Sequence, residues 1–171
     1  MRKAVKLRTL LALLLTGMLA ACGFQLRGAY PLPFDTLYVA LPETNELHSQ
    51  LKRSIATGSN ARVIGLQKDA QATLLILSDR NAKNILSLAA MGQAREFQLV
   101  RTFTFRVVDG KGRDWLSPTQ IEIHRDISFS DNLVLSKDLE EALLWRDIQA
   151  DLVQQIMRRL AASRPPLAVT D

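Results

Sequence analysis

The 171-residue chain has one cysteine and two histidines, so the chemistry open to its side chains is narrow. Cys22 follows Leu19-Ala20-Ala21 directly. A thiol can be alkylated, and with no second cysteine this one has no internal disulfide to form. His48 and His124 are far apart in sequence, and neither has a His, Cys or carboxylate at ligand spacing. Both read as solvated surface histidines, and no metal site is expected. No Gly-x-Ser-x-Gly elbow and no phosphate-cradling glycine loop occurs. Glu140-Glu141 reads as helix N-terminal charge, not as a general acid/base pair. No catalytic residue and no cofactor is expected; the side-chain inventory argues for binding or assembly.

Cys22 closes a recognisable N-terminal pattern. Arg2, Lys3, Lys6 and Arg8 form a positive region, and Leu10 to Met18 supplies an apolar one. This is a secretory signal, shorter than the roughly 20 apolar residues a spanning helix needs. Residues 1–21 are therefore read as a signal peptide. Leu-Ala-Ala-Cys resembles the lipobox of bacterial lipoproteins. The resemblance implies a diacylglyceryl group on the Cys22 sulfur, cleavage after Ala21 and acylation of the new amino terminus, hence a palmitate-type anchor. Two or more acyl chains hold a protein to a bilayer effectively permanently. In lipoprotein sorting of the enterobacterial type, Asp after the lipidated Cys favours the inner membrane. Gly23 stands there, so the outer membrane is expected.

Removal of the signal changes the charge balance. The chain carries 22 Lys+Arg and 17 Asp+Glu; four basic and no acidic residues precede Cys22, which leaves 18 against 17. The basic character is thus largely a targeting feature and gives no argument for nucleic acid. The remaining length is that of one domain with a real core.

The elements follow from periodicity. Residues 22–35, with Pro31 and Pro33, read as a lipidated tether. Thr36 to Leu41 reads as a strand stopped by Pro42. Thr44 or Asn45 can cap a short helix with Leu47, Leu51 and Ile55 on one face, ended by Thr57-Gly58. Arg62-Val63-Ile64 is a short strand piece or a loop. Ala72 to Leu77 is a strand, with a possible continuation through Ile85 to Leu88. From Arg95 to Val107, Phe97, Leu99, Phe103, Phe105 and Val107 alternate with Glu96, Gln98, Thr102, Thr104 and Arg106, the pattern of a long half-buried strand. Asp109-Gly110-Lys111-Gly112 is a hairpin turn. The return strand runs from about Trp115 to Phe129, with Ile121, Ile123, Ile127 and Phe129 inward, and Pro118 at an edge or bulge. A last helix spans about Lys137 to Ala161 with Ser136 as N-cap; Leu139, Ala142, Trp145, Leu152, Val153, Ile156, Met157 and Leu160 share one face. Pro165-Pro166 stops it.

The order β-α-β-β-β-α predicts an α+β, two-layer sandwich. Two helices cover one face of a mostly antiparallel or mixed four-stranded sheet, and the other face is polar and exposed. The domain is placed at 36–162 and a loose tail at 163–171.

Two motifs extend this reading. Cys22-Gly23-Phe24-Gln25-Leu26-Arg27-Gly28 resembles the opening of the LPS-assembly lipoprotein family LptE. Gly92-Gln93-Ala94-Arg95-Glu96-Phe97-Gln98-Leu99 resembles the element that leads into that family's long central strand. The resemblance covers nearly all of the chain after Cys22. It implies a plug inside the outer-membrane barrel LptD that helps the barrel fold, and binding of lipopolysaccharide during its insertion into the outer leaflet. It also implies basic residues on lipid A phosphates. Lys137 matches a basic position before the last helix. The family's other basic position falls on Ala90, and Arg95, Arg80 or Lys83 are the candidates to substitute. The runner-up is an accessory lipoprotein of another lipid-transport system with no barrel partner.

Overall fold

In the computed structural model, residues 30–89, 92–128 and 134–166 are described. Seven regular elements build the fold: β1 (Thr36–Val39), α1 (Glu46–Gly58), β2 (Arg62–Val63), β3 (Ala72–Leu88), β4 (Ala94–Val108), β5 (Asp114–Ser128) and α2 (Val134–Ala162). A single 3-10 turn, Gln67–Asp69, leads into β3. The sheet has five strands in the order β2-β1-β3-β4-β5. β1 lies parallel to β2 and β3, while β3, β4 and β5 form an antiparallel meander.

The class is the expected α+β, with two helices and an open sheet, but the strand count is five and not four. Arg62 and Val63 pair with Thr36 and Leu37. Main-chain bonds fix them: Arg62 N donates to Asp35 O at 2.9 Å and Ile64 N to Leu37 O at 2.9 Å. Two residues are too few to display an alternation, so pairing made by the backbone alone leaves no side-chain signature.

α1 starts where its cap predicts. The Asn45 side chain accepts from Leu47 N at 2.8 Å, satisfying one of the orphan donors of the first turn. Leu47, Leu51 and Ile55 are buried as expected, but so is His48, at 5% exposure. Position 48 lies three and seven residues before Leu51 and Ile55 and so shares their face; the reading of a solvated histidine is corrected. His124 is exposed on the polar sheet face.

β3 is one strand of 17 residues that runs through Asn81 and Asn84. Its pairing with β4 carries it past residues of poor strand propensity, with register shifts at Ile76/Ser78 and near Ser87. On β4, Leu99, Phe103, Phe105 and Val107 are buried and Phe97 packs against the core. Ile121, Ile123 and Ile127 of β5 join them; Phe129 lies outside the described residues. Pro118 satisfies both expectations. β5 is an edge strand, and its pairing slips between Phe105↔Thr119 and Val107↔Leu116, a bulge that spans Pro118.

The β4–β5 turn is held by Asp109. Its carboxylate accepts from Lys111 N at 2.8 Å, Arg113 N at 2.9 Å and Arg113 Nε at 2.8 Å, and Gly112 takes the positive φ of 79° that the turn requires. Burial pushes this carboxyl up, but the hydrogen bonds from Arg113 and Lys111 and the Arg113 charge outweigh it and hold it below its usual range. A lowered folded-state pKa contributes stability above the unfolded value of about 3.9 that is lost as pH falls through the folded one. Asp109→Asn should therefore destabilise the protein at pH 7 and much less at pH 3. Urea unfolding at the two pH values checks this; an equal loss at both would show that the charge is immaterial.

The domain is wider than residues 36–162. Leu32 and Phe34 are buried in the core, and the Phe34 ring meets Trp115 edge-on at 5.5 Å. Leu32 N donates to Asn60 Oδ1 at 2.7 Å, and Tyr30 N to Gly58 O at 2.6 Å. The described end of the supposed tether is thus packed: prolines break regular structure without preventing burial of the apolar residues between them. At the other end Ser163 is buried and its hydroxyl donates to Leu160 O at 2.7 Å, so the start of the supposed tail is also packed.

α2 begins at Val134, so Ser136 lies inside its first turn and is not the N-cap. The inner face begins later than expected. Leu139 and Leu143 are 66% and 57% exposed, and Ala142 is exposed too. The fully covered residues run from Ile148 through Leu152, Val153, Ile156 and Met157 to Leu160, with Leu144 and Trp145 at the margin. Ahead of that stretch α2 meets the sheet through Glu141, which pairs with Lys83 of β3.

Candidate functional site

Register fixes which residues of the sheet face the helices. Phe105 and Phe103 of β4 are in the core, and their β3 partners are Ile76 and Asp79. Asn81, Lys83 and Ile85 follow on the same face, opposite Arg101, Leu99 and Phe97. On β5 the corresponding partners are Ile123, Arg125 and Ile127. Three cations (Lys83, Arg101 and Arg125) therefore stand on the helix-facing side of adjacent strands, beyond the aromatic core.

Each meets an acceptor on α2. Lys83 Nζ is 2.6 Å from Glu141 Oε2 and 4.5 Å from the centroid of the Phe97 ring, a cation–π contact. Arg101 forms a two-pronged pair with Asp79 of β3, Nε to Oδ1 at 3.0 Å and Nη2 to Oδ2 at 2.8 Å. Its remaining nitrogen, Nη1, donates to Gln149 Oε1. Arg125 Nη2 is 3.3 Å from Asp151 Oδ2. α2 is thus joined to the sheet by polar contacts at Glu141, Gln149 and Asp151, and from Ile148 onward by apolar packing as well.

Lys137 is not an isolated cation at a helix start. Its ammonium is 2.6 Å from Glu140 Oε2. Residues 137 and 141 are one turn apart and share a helix face, so Lys137 and Lys83 are brought to the same stretch of α2, each held by one of two consecutive glutamates. Glu141 is held twice, because Trp145 Nε1 donates to its Oε1 at 3.3 Å.

Arg80 and Arg95 do not join them. Arg80 pairs with Thr102, whose side chain belongs to the opposite, polar face. Arg95 is exposed at a register shift, between the pairs Ser87↔Glu96 and Leu88↔Ala94. It lies four residues beyond Leu99, about 13 Å along the strand. Cys22 and Ala90 lie outside the described residues. The sequence reading passed over Arg101, Asp79, Gln149, Arg125 and Asp151. For Arg101 a signal existed: it occupies the inward phase of β4 between Leu99 and Phe103, where only a satisfied charge is tolerated.

The polar sheet face is as expected. Gln98 Nε2 donates to Asp126 Oδ1 at 3.1 Å, Ser87 Oγ to Glu96 Oε2 at 2.8 Å, and Arg106 pairs with Asp114 at 3.2 Å. Among the described residues, no group of three or more His, Cys, Asp or Glu could hold a metal ion, and no helix is long and apolar enough to cross a membrane.

Comparison with known proteins gives the same picture from another side. Residues 34–160 match the family model LptE, lipopolysaccharide-assembly. The LPS-assembly lipoproteins LptE of Yersinia pestis (strain Pestoides F) and Yersinia pseudotuberculosis (serotype O:1b) are each 30% identical over 161 residues, covering 91% of this chain and 75% of theirs. Among solved structures, lipoprotein B of Nitrosomonas europaea is 36% identical with a TM-score of 0.71, covering 82% of this chain and 91% of that one. A minor lipoprotein of Acinetobacter baumannii is 26% identical with a TM-score of 0.64, covering 80% and 100%. The LptE family is one of non-enzymatic lipopolysaccharide-assembly lipoproteins. With the family match spanning both helices and the whole antiparallel meander, the chain belongs to the LptE family of lipopolysaccharide-assembly lipoproteins.

Proposed function

We propose that this lipoprotein is anchored in the outer membrane by acyl chains on Cys22, plugs an LptD-type barrel and assists its assembly, and binds lipopolysaccharide as it passes to the outer leaflet. The observation that carries the plug is the two-sidedness of the sheet. One face is covered by both helices; the other presents Gln98, Thr102, Thr104, Arg106, Gln120, Glu122, His124 and Asp126. A wide barrel has a polar lumen, and a compact sandwich with a polar face suits such a wall without burying unpaired charge. The lysines at the distal end of α2 suit phosphate, which binds ammonium groups through charge-assisted hydrogen bonds.

The test is purification of the full-length protein from outer membrane. The wild-type protein should bring down a large β-barrel partner in stoichiometric amount. Cys22→Ala should remain unprocessed and lose its outer-membrane fraction by about tenfold or more, since stable attachment needs two acyl chains. A Cys22→Ala protein that is processed and still sediments with outer membrane would overturn the anchor. Pull-downs without any barrel would overturn the plug in favour of an accessory lipoprotein of another lipid-transport system.

A further inference from the structure

We infer that Glu140 and Glu141 act as an internal competitor for the phosphate-binding lysines, so that this end of the molecule is closed by its own carboxylates until a phosphorylated ligand displaces them. The inference rests on the proposed binding of lipopolysaccharide and concerns how that site is regulated. Its basis is geometric. Two lysines from different elements, Lys83 of β3 and Lys137 of α2, are each 2.6 Å from a carboxylate oxygen, and the two carboxylates are neighbours in sequence. The arrangement brings both cations to one turn of α2 and leaves neither without a counter-charge. A ligand that carries two phosphates can replace both carboxylates at once.

The exchange is chemically reasonable. Ion pairs that reach solvent contribute little each, because water and salt screen them. Glu140 is about half exposed, and Lys83 and Glu141 are partly so; the carboxylates can swing into water when displaced. A phosphate monoester brings more charge and more acceptor oxygens than a carboxylate, so it wins the competition where both are present. A single weak anion does not, and this gives the closed form its selectivity. The surroundings agree with a lipid-bearing ligand: Ile85, Leu86 and Leu88 on β3 and Leu139 and Leu143 on α2 are exposed apolar side chains in the adjoining stretches of the same two elements.

Displacement has a built-in reporter. Glu141 accepts from Trp145 Nε1 through Oε1 while holding Lys83 through Oε2. Moving this carboxylate therefore breaks the indole hydrogen bond and alters the emission of Trp145.

The experiment measures binding of lipopolysaccharide to the full mature chain in detergent, with intact and enzymatically dephosphorylated lipopolysaccharide as the two probes. Glu140→Gln/Glu141→Gln should bind the phosphorylated form about three- to tenfold more tightly than wild type, the effect of relieving two exposed pairs, and the dephosphorylated form no better. Adding Lys83→Gln/Lys137→Gln should abolish the gain. In a Trp115→Phe background, phosphorylated lipopolysaccharide should change Trp145 emission in the presence of Glu141 and much less after Glu141→Gln. Glu43→Gln/Asp69→Asn removes the same charge from exposed positions outside both proposed surfaces and should leave affinity unchanged. An equal gain in that control, or no gain in the glutamate variant, overturns the internal competitor while lipopolysaccharide binding stands. Absence of binding in every form, wild type included, overturns the proposed ligand itself and the competitor with it.

Discussion

Phe105→Ala should lower the free energy of unfolding by about 3–5 kcal/mol, the cost of an aromatic ring removed from a closed core. Phe105 has 0% exposure and sits opposite Ile76 of β3 and Thr119 of β5. Its ring centroid is 5.7 Å from that of Phe103, and the core cluster it belongs to includes Leu152 and Ile156, with Trp145 packed against it. Neighbours on three elements cannot all move inward to refill the volume, which places the loss at the upper end for such substitutions. Leu139→Ala provides the contrast. Leu139 is 66% exposed, so its truncation should stay within about 0.5 kcal/mol. Both are read by urea unfolding. A loss below about 1 kcal/mol for Phe105→Ala would mean that the inward face of β4 does not pack under the helices.

Arg101→Leu should be the most damaging change at a charged position, at about 2–3 kcal/mol. The guanidinium is only 11% exposed and satisfies both Asp79 and Gln149. Replacement leaves Gln149, 9% exposed, without this acceptor's donor, and it leaves the Asp79 carboxylate without its cation. The second loss is softened because Asp79 is 36% exposed and can take water instead, which is why the figure lies below that for a fully enclosed pair. Asp79→Ala should accordingly cost less than Arg101→Leu. Double-mutant analysis with Gln149→Leu should show coupling with Arg101, since the two share a hydrogen bond. Equal losses for Asp79→Ala and Arg101→Leu would show that the pair behaves as an ordinary surface bridge.

The long strands and the α+β class were legible because their information is local. An alternation over Phe97 to Val107, broken only at Val100 and Arg101, leaves one backbone conformation that buries the inward apolar residues together, and Asn45 marks the start of α1 by a bond two residues away. Packing that depends on what lies opposite was not legible. Periodicity placed Leu139 on a face with Leu152 but could not say that the sheet beneath it would offer Lys83. The residue type of His48 points to solvent, but its phase with Leu51 and Ile55 places it inside. Of the candidate site, Lys137 and Lys83 were singled out but their meeting was not. Lys83 and Glu141 are 58 residues apart, and nothing in either neighbourhood announces the pair. Arg80 is near Lys83 in sequence, but with a register shift already passed, their three-residue separation puts them on opposite faces of the sheet.

The length of β3 has a mechanical meaning. Seventeen residues at about 3.3 Å each give a blade of about 55 Å, longer than the roughly 30 Å hydrocarbon layer of a bilayer. The lysine-bearing end is thereby held at a set distance from the N-terminal segment, which is tied down at the opposite end beside Gly58 and Asn60. The antiparallel meander acts as a ruler, and its graduations come in pairs. Removing two residues from a strand shortens the reach by about 7 Å and preserves its faces, whereas removing one turns every later side chain to the other side. Evolution can therefore retune how far this protein reaches only in even steps, unless a bulge such as those near Ile76 or Ser87 absorbs the odd residue.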